Sequence, residues 1–347
     1  MRRRLFIILT LIIVGITSMT IEPEEPSFLL FTLLLGLLLV FLSSEPAVEG
    51  FKGLSEYTGL SEYMIGIVSS LASNFPEAIL AIFMVLSPHL REVAILTVML
   101  ASAFNGLLLG ILVIMLTYKG GSVKVPREAL EHDVEVMRIT IAFSIIILGT
   151  GLILNLFHGK PYLPFEVSLF LLLAYMSYLY FMSRKTRKTE STAKTDRRGK
   201  AWISHLLLGL IGIIVSAELI SNASEYMVHV LEFHVVIAAT LIAFAGSVPE
   251  HCLAIIGARR GQIELGVSNL ISGIVQSIML IFPLLAMVAP VYLDGYILYQ
   301  FLAIASTLWI TKKAIVDDGR LTLDEGVSIL MVHLLGIILF DELSWLI

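Results

Sequence analysis

Two short phrases carry the residues of this chain that could do chemistry. The first is Ser73-Asn74-Phe75-Pro76-Glu77, and the second is Ala245-Gly246-Ser247-Val248-Pro249-Glu250. Each sets a proline beside a carboxylate near the middle of a long apolar stretch. A carboxylate at the centre of a membrane helix costs about 2.5–3.5 kcal/mol on insertion scales, so residues of this kind mark sites. Proline removes a backbone donor and crowds the carbonyl four residues earlier. That predicts freed carbonyls at Ala72 and Ala245. In lipid a freed carbonyl must find a partner, line a cavity or bind an ion.

Helical spacing puts Ser70, Ser73, Asn74 and Glu77 on one face, and Ala243, Gly246, Ser247 and Glu250 on another. The second copy is poorer in oxygen. The segments that follow add Ser102 and Asn105 after the first copy, and Asn269, Ser272 and Gln276 after the second. Gathered at midplane, these groups are hard oxygen donors with two negative charges. That suits a hard divalent cation such as Ca2+, which takes about 6–8 oxygens in flexible geometry. No lysine or arginine stands at midspan beside either glutamate. Their charge is therefore balanced by a cation or by protons.

The elements that position these residues are membrane helices. Hydrophobic residues make up 57% of the chain, charged residues 15%, and mean hydropathy is +0.92, which no soluble domain of this length would carry. A membrane barrel would alternate apolar and polar residues in short strands, and this chain does not. Eleven helical segments are expected, near 5–20, 27–50, 60–86, 92–117, 136–157, 163–183, 201–222, 231–257, 264–287, 291–310 and 326–345. The first follows Met1-Arg2-Arg3-Arg4 and reads as a retained anchor helix or a signal-like segment. No small-residue cleavage site follows Met19, which favours retention.

Placing the N-terminus in the cytoplasm and alternating sides puts 21 of the 23 Lys and Arg residues on the cytoplasmic face, leaving Arg91 and Lys160 outside. The positive-inside rule is obeyed, and an error in the number of early helices would have scrambled it. The expected location is a prokaryotic cell membrane, crossed many times, with the N-terminus and the 184–200 linker in the cytoplasm. That basic linker serves topology and contact with anionic lipid. Cys252 is the single cysteine, so a disulfide framework and a Cys-based metal site are excluded.

An offset of 173 residues aligns Ser43 with Ser216, Glu45 with Glu218, Pro76 with Pro249 and Glu77 with Glu250. An offset of 172 then aligns Glu92 with Glu264 and Asn105 with Ser277. Five segments separate each feature from its copy, and an odd number reverses the direction of crossing. The copies form an inverted-topology repeat, an architecture that holds substrate at the midplane on interrupted helices. The expected fold is an all-α polytopic membrane protein: a ten-helix core of two inverted five-helix repeats plus one extra N-terminal helix. Its divisions are 1–26 (anchor or signal-like), 27–183 (first repeat), 184–200 (linker) and 201–347 (second repeat).

These residues resemble the paired alpha repeats of the calcium/cation antiporter superfamily. The resemblance spans roughly 27–120 and 201–290. It rests on Leu35-Gly36, Ser43-Ser44-Glu45, Tyr63-Met64-Ile65-Gly66-Ile67-Val68 and Ser73 to Glu77 in one half. Glu264-Leu265-Gly266-Val267-Ser268-Asn269 follows the same plan in the other. The sodium/calcium branch of that superfamily shows Gly-Thr-Ser-x-Pro-Glu, and the proton/calcium branch Gly-Asn-Ala-x-Glu. Pro76 and Pro249 resemble the first. Asn74, the Glu250-His251 pair, Gln276 and Phe282-Pro283 resemble the second. The resemblance implies that Glu77 and Glu250 are the cation ligands, with Asn74, Ser73, Ser247, Asn105 and Gln276 beside them. It also implies outward- and inward-facing states exchanged by movement of segments 27–50 and 201–222.

Ala101, Gly246 and Gly273 stand where the sodium branch carries hydroxyls, so several separate sodium sites would lack oxygens. A departing divalent ion leaves two nearby carboxylates that favour taking up protons. The expected activity is therefore exchange of Ca2+ or a similar divalent cation for H+, with Na+/Ca2+ exchange as the alternative. An intramembrane acid–base enzyme is the more remote reading. No HExxH, GxSxG or phosphate-cradling glycine loop is present, which disfavours metalloprotease, hydrolase and ATP-driven pump. The expected partners are transported cations and the bilayer, with no nucleic acid and no cofactor beyond the transported ions. Four further residues are expected to matter less clearly. Glu45 and Glu218 lie near segment ends, between an interfacial position and the ion path. His251 is read as a packing residue or a proton relay, and His333 as structural. Asn222-Ala223-Ser224 fits a glycosylation pattern.

Overall fold

Lipid offers the backbone no hydrogen-bond partner, so each apolar run satisfies itself as a helix. The computed structural model describes residues 2–21, 26–59, 62–125, 130–158, 161–187, 201–259 and 263–340. In chain order the helices are α1 (Arg2–Ser18), α2 (Pro26–Tyr57), α3 (Glu62–Ser73), α4 (Phe75–Leu86), α5 (Arg91–Thr117), α6 (Glu131–His158), α7 (Phe165–Arg187) and α8 (Ala201–His229). They continue as α9 (Val235–Arg259), α10 (Ile263–Gln276), a π-helical turn (Ser277–Ile281), α11 (Phe282–Val288), α12 (Gly295–Asp317) and α13 (Leu323–Ile338). Strands β1 (Ser122–Lys124) and β2 (Arg320–Thr322) form a small antiparallel ribbon that sequence reading did not anticipate.

All eleven expected segments appear, and the fold is the all-α one of two inverted five-helix repeats with α1 as the extra helix. Three ends run furthest past expectation: α2, α8 and α12 each extend seven residues further, to Tyr57, His229 and Asp317. Most of the basic linker, 188–200, lies outside the described residues, as does 341–345 of the last expected segment. The helices at Ser27–Tyr57, Arg91–Thr117, Asp133–Phe157, Trp202–His229 and Gly266–Val288 are each long and apolar enough to cross a membrane. Large apolar side chains such as Leu86, Leu156, Phe157 and Phe181 stand exposed, a surface that only lipid would cover.

Two compact units make up the chain, and each draws on both halves of the sequence. The first is Met1–Thr97 with Leu173–Pro249, and the second is Val98–Leu172 with Glu250–Ile347.

In the first unit α2 lies along α8, and glycines set their separation. A Cβ on Gly50 would collide with the Leu206 backbone, and one on Gly53 with Trp202. The contact is reciprocal. A Cβ on Gly36 would stand 2.8 Å from Ile220, and one on Gly209 would stand 2.5 Å from the Ala47 backbone nitrogen. The 173-residue offset turns Gly36 into Gly209 and Ala47 into Ile220. The α2–α8 pair is thus related to itself by an approximate two-fold, as in an isologous interface. Helix α1 packs Ile8 and Ile12 against Leu35, Leu39, Val215 and Leu219 of that pair.

In the second unit α5 docks on α13 through Gly106 and Gly110, a small-residue spacing that lets membrane helices approach closely. A Cβ at Gly110 would stand 2.7 Å from the Leu330 nitrogen, and one at Gly326 would meet Val113 at 2.9 Å. Helix α6 packs along α12, where a Cβ on Gly151 would collide with Leu298. The turns before α7 and α12 are tied by Leu163 N to Val291 O at 2.9 Å and Leu293 N to Pro161 O at 2.8 Å. Asp294 caps α12 by accepting from Ile297 N at 2.7 Å, and Thr322 with Glu325 forms a capping box on α13. Ser268 of α10 lies close to the buried carboxyl of Asp133 on α6.

Candidate functional site

The first Pro-Glu phrase breaks its helix. Helix α3 ends at Ser73, Asn74 adopts φ −91° and ψ 0°, and α4 begins at Phe75. Pro76 therefore sits in the first turn of a new helix, where its missing N–H costs nothing. Ala78 N resumes the ladder by donating to Asn74 O at 3.1 Å. Glu77 falls in the same first turn and is 8% exposed. The unpaired amides of a helix start carry partial positive charge, which favours a carboxylate or an anion there. The expected shared helical face of Ser70, Ser73, Asn74 and Glu77 is thus split between two helices. Before the break, the carbonyl oxygen of Ser70 accepts from Ser73 Oγ at 2.8 Å and from Asn74 Nδ2 at 3.4 Å. Asn74 is buried and Ser73 is half-buried.

The second phrase behaves differently. Helix α9 runs unbroken from Val235 to Arg259, through Pro249, so the expected interruption is absent there. The neighbouring Gly246 has open space where a Cβ would be. Ser247 is 2% exposed and donates to Ala243 O at 2.7 Å on its own helix. The side chains of Pro249 and Glu250 lie outside the described residues.

In the second unit, His251 Nε2 and Asn105 Oδ1 share a hydrogen bond of 3.1 Å between α9 and α5. Both residues are buried, and Ser102 lies fully buried one turn earlier on α5. On α10, Gln276 Nε2 donates to Ser272 Oγ at 2.8 Å. The π-helical turn begins at the next residue, with Phe282 N donating to Ser277 O. Wide turns of this kind recur at functional sites. Pro283 was its sequence signal, because proline crowds the carbonyl of Met279 four residues back and a five-residue repeat relieves that clash.

The first unit thus gathers Ser73 and Asn74 beside Glu77, with Ser247 turned onto its own backbone. The second gathers Asn105 with His251 and Gln276 with Ser272. No group of three or more His, Cys, Asp or Glu side chains poised to hold a metal occurs among the described residues. Glu45, expected between interface and ion path, is exposed and pairs with Arg4 of α1, while Glu218 accepts from Asn222 at 3.4 Å. His333 is fully buried and shares a hydrogen bond of 2.9 Å with Thr307. The Asn222-Ala223-Ser224 pattern lies inside α8, where Ser224 is fully buried and donates to Ile220 O, so it is not the surface loop a glycosylated site needs.

The model of the family described as sodium/calcium exchanger protein matches residues 28–184 and 202–340. No curated protein sequence matches the chain. Among solved structures, the chain is similar to the H+/Ca2+ exchanger CAX at 16% identity and a TM-score of 0.75, over 97% of this chain and 88% of that one. It is similar to YfkE at 18% identity and a TM-score of 0.66, over 97% and 99%. It is also similar to the sodium-calcium exchanger NCX_Mj at 20% identity and a TM-score of 0.61, over 89% and 97%.

Proposed function

Because the chain belongs to the sodium/calcium exchanger protein family, and is therefore a multi-pass membrane transporter rather than an enzyme, we propose that it exchanges Ca2+ or a similar divalent cation for H+. Alternating access exposes a site built on the repeated carboxylates, Glu77 and Glu250. Asn74, Ser73, Ser247, Asn105 and Gln276 stand beside them in this reading. The pairing of the two glutamates rests on the sequence repeat. The placement of Glu77 in the first turn of α4 supports its half, because such a turn tolerates a buried carboxylate between cargo ions.

The observation that carries proton over sodium coupling is the bond between Asn105 and His251. Sodium sites need oxygen ligands beyond those that hold the divalent ion. Asn105 Oδ1 meets an imidazole nitrogen at 3.1 Å and the Ser247 hydroxyl donates to its own helix at 2.7 Å, so each keeps lone-pair capacity for one shared cation rather than for further sodium ions. The second phrase is thin in oxygen already. Protons need no further ligands, since the carboxylates themselves accept them. The cytoplasmic placement of the N-terminus and of the 184–200 linker belongs to this proposal and is supported by the distribution of Lys and Arg.

Calcium uptake into proteoliposomes with controlled gradients tests it. Flux is expected to follow an imposed pH gradient without sodium. A flux driven by a sodium gradient at clamped pH, and indifferent to a proton gradient, sinks the proton version and leaves Na+/Ca2+ exchange. The H+/Ca2+ exchanger CAX and the sodium-calcium exchanger NCX_Mj are comparably remote in sequence, so identity does not choose between them.

A further inference from the structure

Helix α12 carries a polar stripe that cation exchange at the glutamates does not use. Tyr296, Gln300, Thr307 and Thr311 follow one another at spacings of four, seven and four. At 3.6 residues per turn they fall within about 60° of one helix face. All four are at most 1% exposed. Helix α13 tracks this face: the Phe340 ring just beyond its end meets Tyr296 with centroids 4.4 Å apart, Gly336 lies against Gln300, and His333 bonds Thr307 at 2.9 Å. Tyr299 Oη fixes the register by donating to Val332 O at 2.6 Å. Gly106 of α5 closes the far side, and a side chain there would fall on the His333 ring.

Four buried polar atoms of this group have no protein hydrogen-bond partner: Tyr296 Oη, Gln300 Nε2, Gln300 Oε1 and His333 Nδ1. The Tyr296 hydroxyl and the Gln300 amide face one another closely enough to interact, yet complete no hydrogen bond. On α6, which packs along α12, the hydroxyl of fully buried Ser144 is likewise without a partner. A buried polar group left unsatisfied is strongly disfavoured, and such groups are found bonded to protein or to ordered water.

We propose that ordered water is bound between α12 and α13, in a seam formed by Tyr296, Gln300, Thr307 and His333. The chemistry of the orphaned atoms selects water over a metal cation. The Gln300 amide nitrogen and the tyrosine hydroxyl are donors, whereas the Gln300 amide oxygen is an acceptor. The seam residues include no carboxylate to balance a cation and no Lys or Arg to balance an anion. A water molecule donates and accepts, and two to four polar partners are what an internal water requires.

X-ray hydroxyl-radical footprinting of the full-length protein in lipid nanodiscs tests the seam, because radicals formed on bound water modify the side chains that touch it. Tyr296 and His333 are expected to be modified at rates comparable with the exposed Tyr118, and several-fold faster than Phe282, which is equally buried but packed ring-to-edge on Phe301. Gln300→Leu removes both amide atoms and is expected to lower modification of Tyr296 and His333 several-fold. Gln300→Met replaces it if the leucine variant does not fold. Unmodified Tyr296 and His333 in the parent protein, at a dose that labels Tyr118, overturn the proposal. So does labelling that is unchanged by the Gln300 substitution. The readout is independent of which ions the protein carries.

Discussion

His251 Nε2 stands 3.1 Å from Asn105 Oδ1, across 146 residues of chain. The bond ties the residue after the second glutamate to the helix that follows the first. His251→Gln can still donate to the asparagine oxygen, whereas His251→Ala leaves a buried amide unsatisfied. Proton-driven calcium uptake in vesicles is expected to fall about fivefold in the alanine variant, the equivalent of roughly 1 kcal/mol for one hydrogen bond. The glutamine variant is expected to stay near the parent.

Glu77→Gln keeps the shape of the α4 start but removes its charge. Losing one carboxylate of a buried cation site costs about 3 kcal/mol, on the order of a hundredfold in affinity. Calorimetric titration with Ca2+ checks this, and Glu250→Gln is expected to behave alike. Retained exchange in both variants would remove these glutamates from the site.

Calcium affinity should rise with pH. The protonated carboxylates hold no cation, so raising pH removes the competitor and strengthens binding. Each proton displaced by one Ca2+ contributes about a tenfold gain per pH unit over the range where the site titrates. Binding measured at several pH values gives the slope, and a value near two is expected for two carboxylates.

Pro76→Ala separates fold from function. The new N–H can bond to the Ala72 carbonyl, joining α3 to α4 through Asn74. Thermal stability is expected to hold or rise, while exchange falls. A loss of stability with unchanged exchange would assign the break a purely structural part.

The α2–α8 contact gives a stability test with its own control. A methyl at Gly50 meets the Leu206 backbone, which cannot yield as a flexible side chain would. Gly50→Ala is expected to cost roughly 1–3 kcal/mol, as overpacking does. Gly246 has no neighbour within 4 Å of a built Cβ. Gly246→Ala is expected to be neutral or to stabilise α9 by roughly 0.5–1 kcal/mol. Melting temperatures in one detergent compare the two.

The sequence by itself determined the class, the helical segments, the two inverted repeats and the position of both Pro-Glu phrases. Those are local or additive properties. Hydropathy sums over a window, charge follows each loop, and a repeat is visible as identity at an offset. It even foreshadowed a tertiary contact, since Gly36 and Gly209 hold equivalent places in the α2–α8 pair. It did not determine which proline would break its helix. Pro76 and Pro249 each stand beside a glutamate, yet only the first starts a new helix. Tertiary structure alone chose Asn105 as the partner of His251 and set His333 over Gly106, on adjacent residues of α5. Such contacts join helices far apart in the chain. Their partners depend on crossing angle and close approach, which no local pattern of residues encodes.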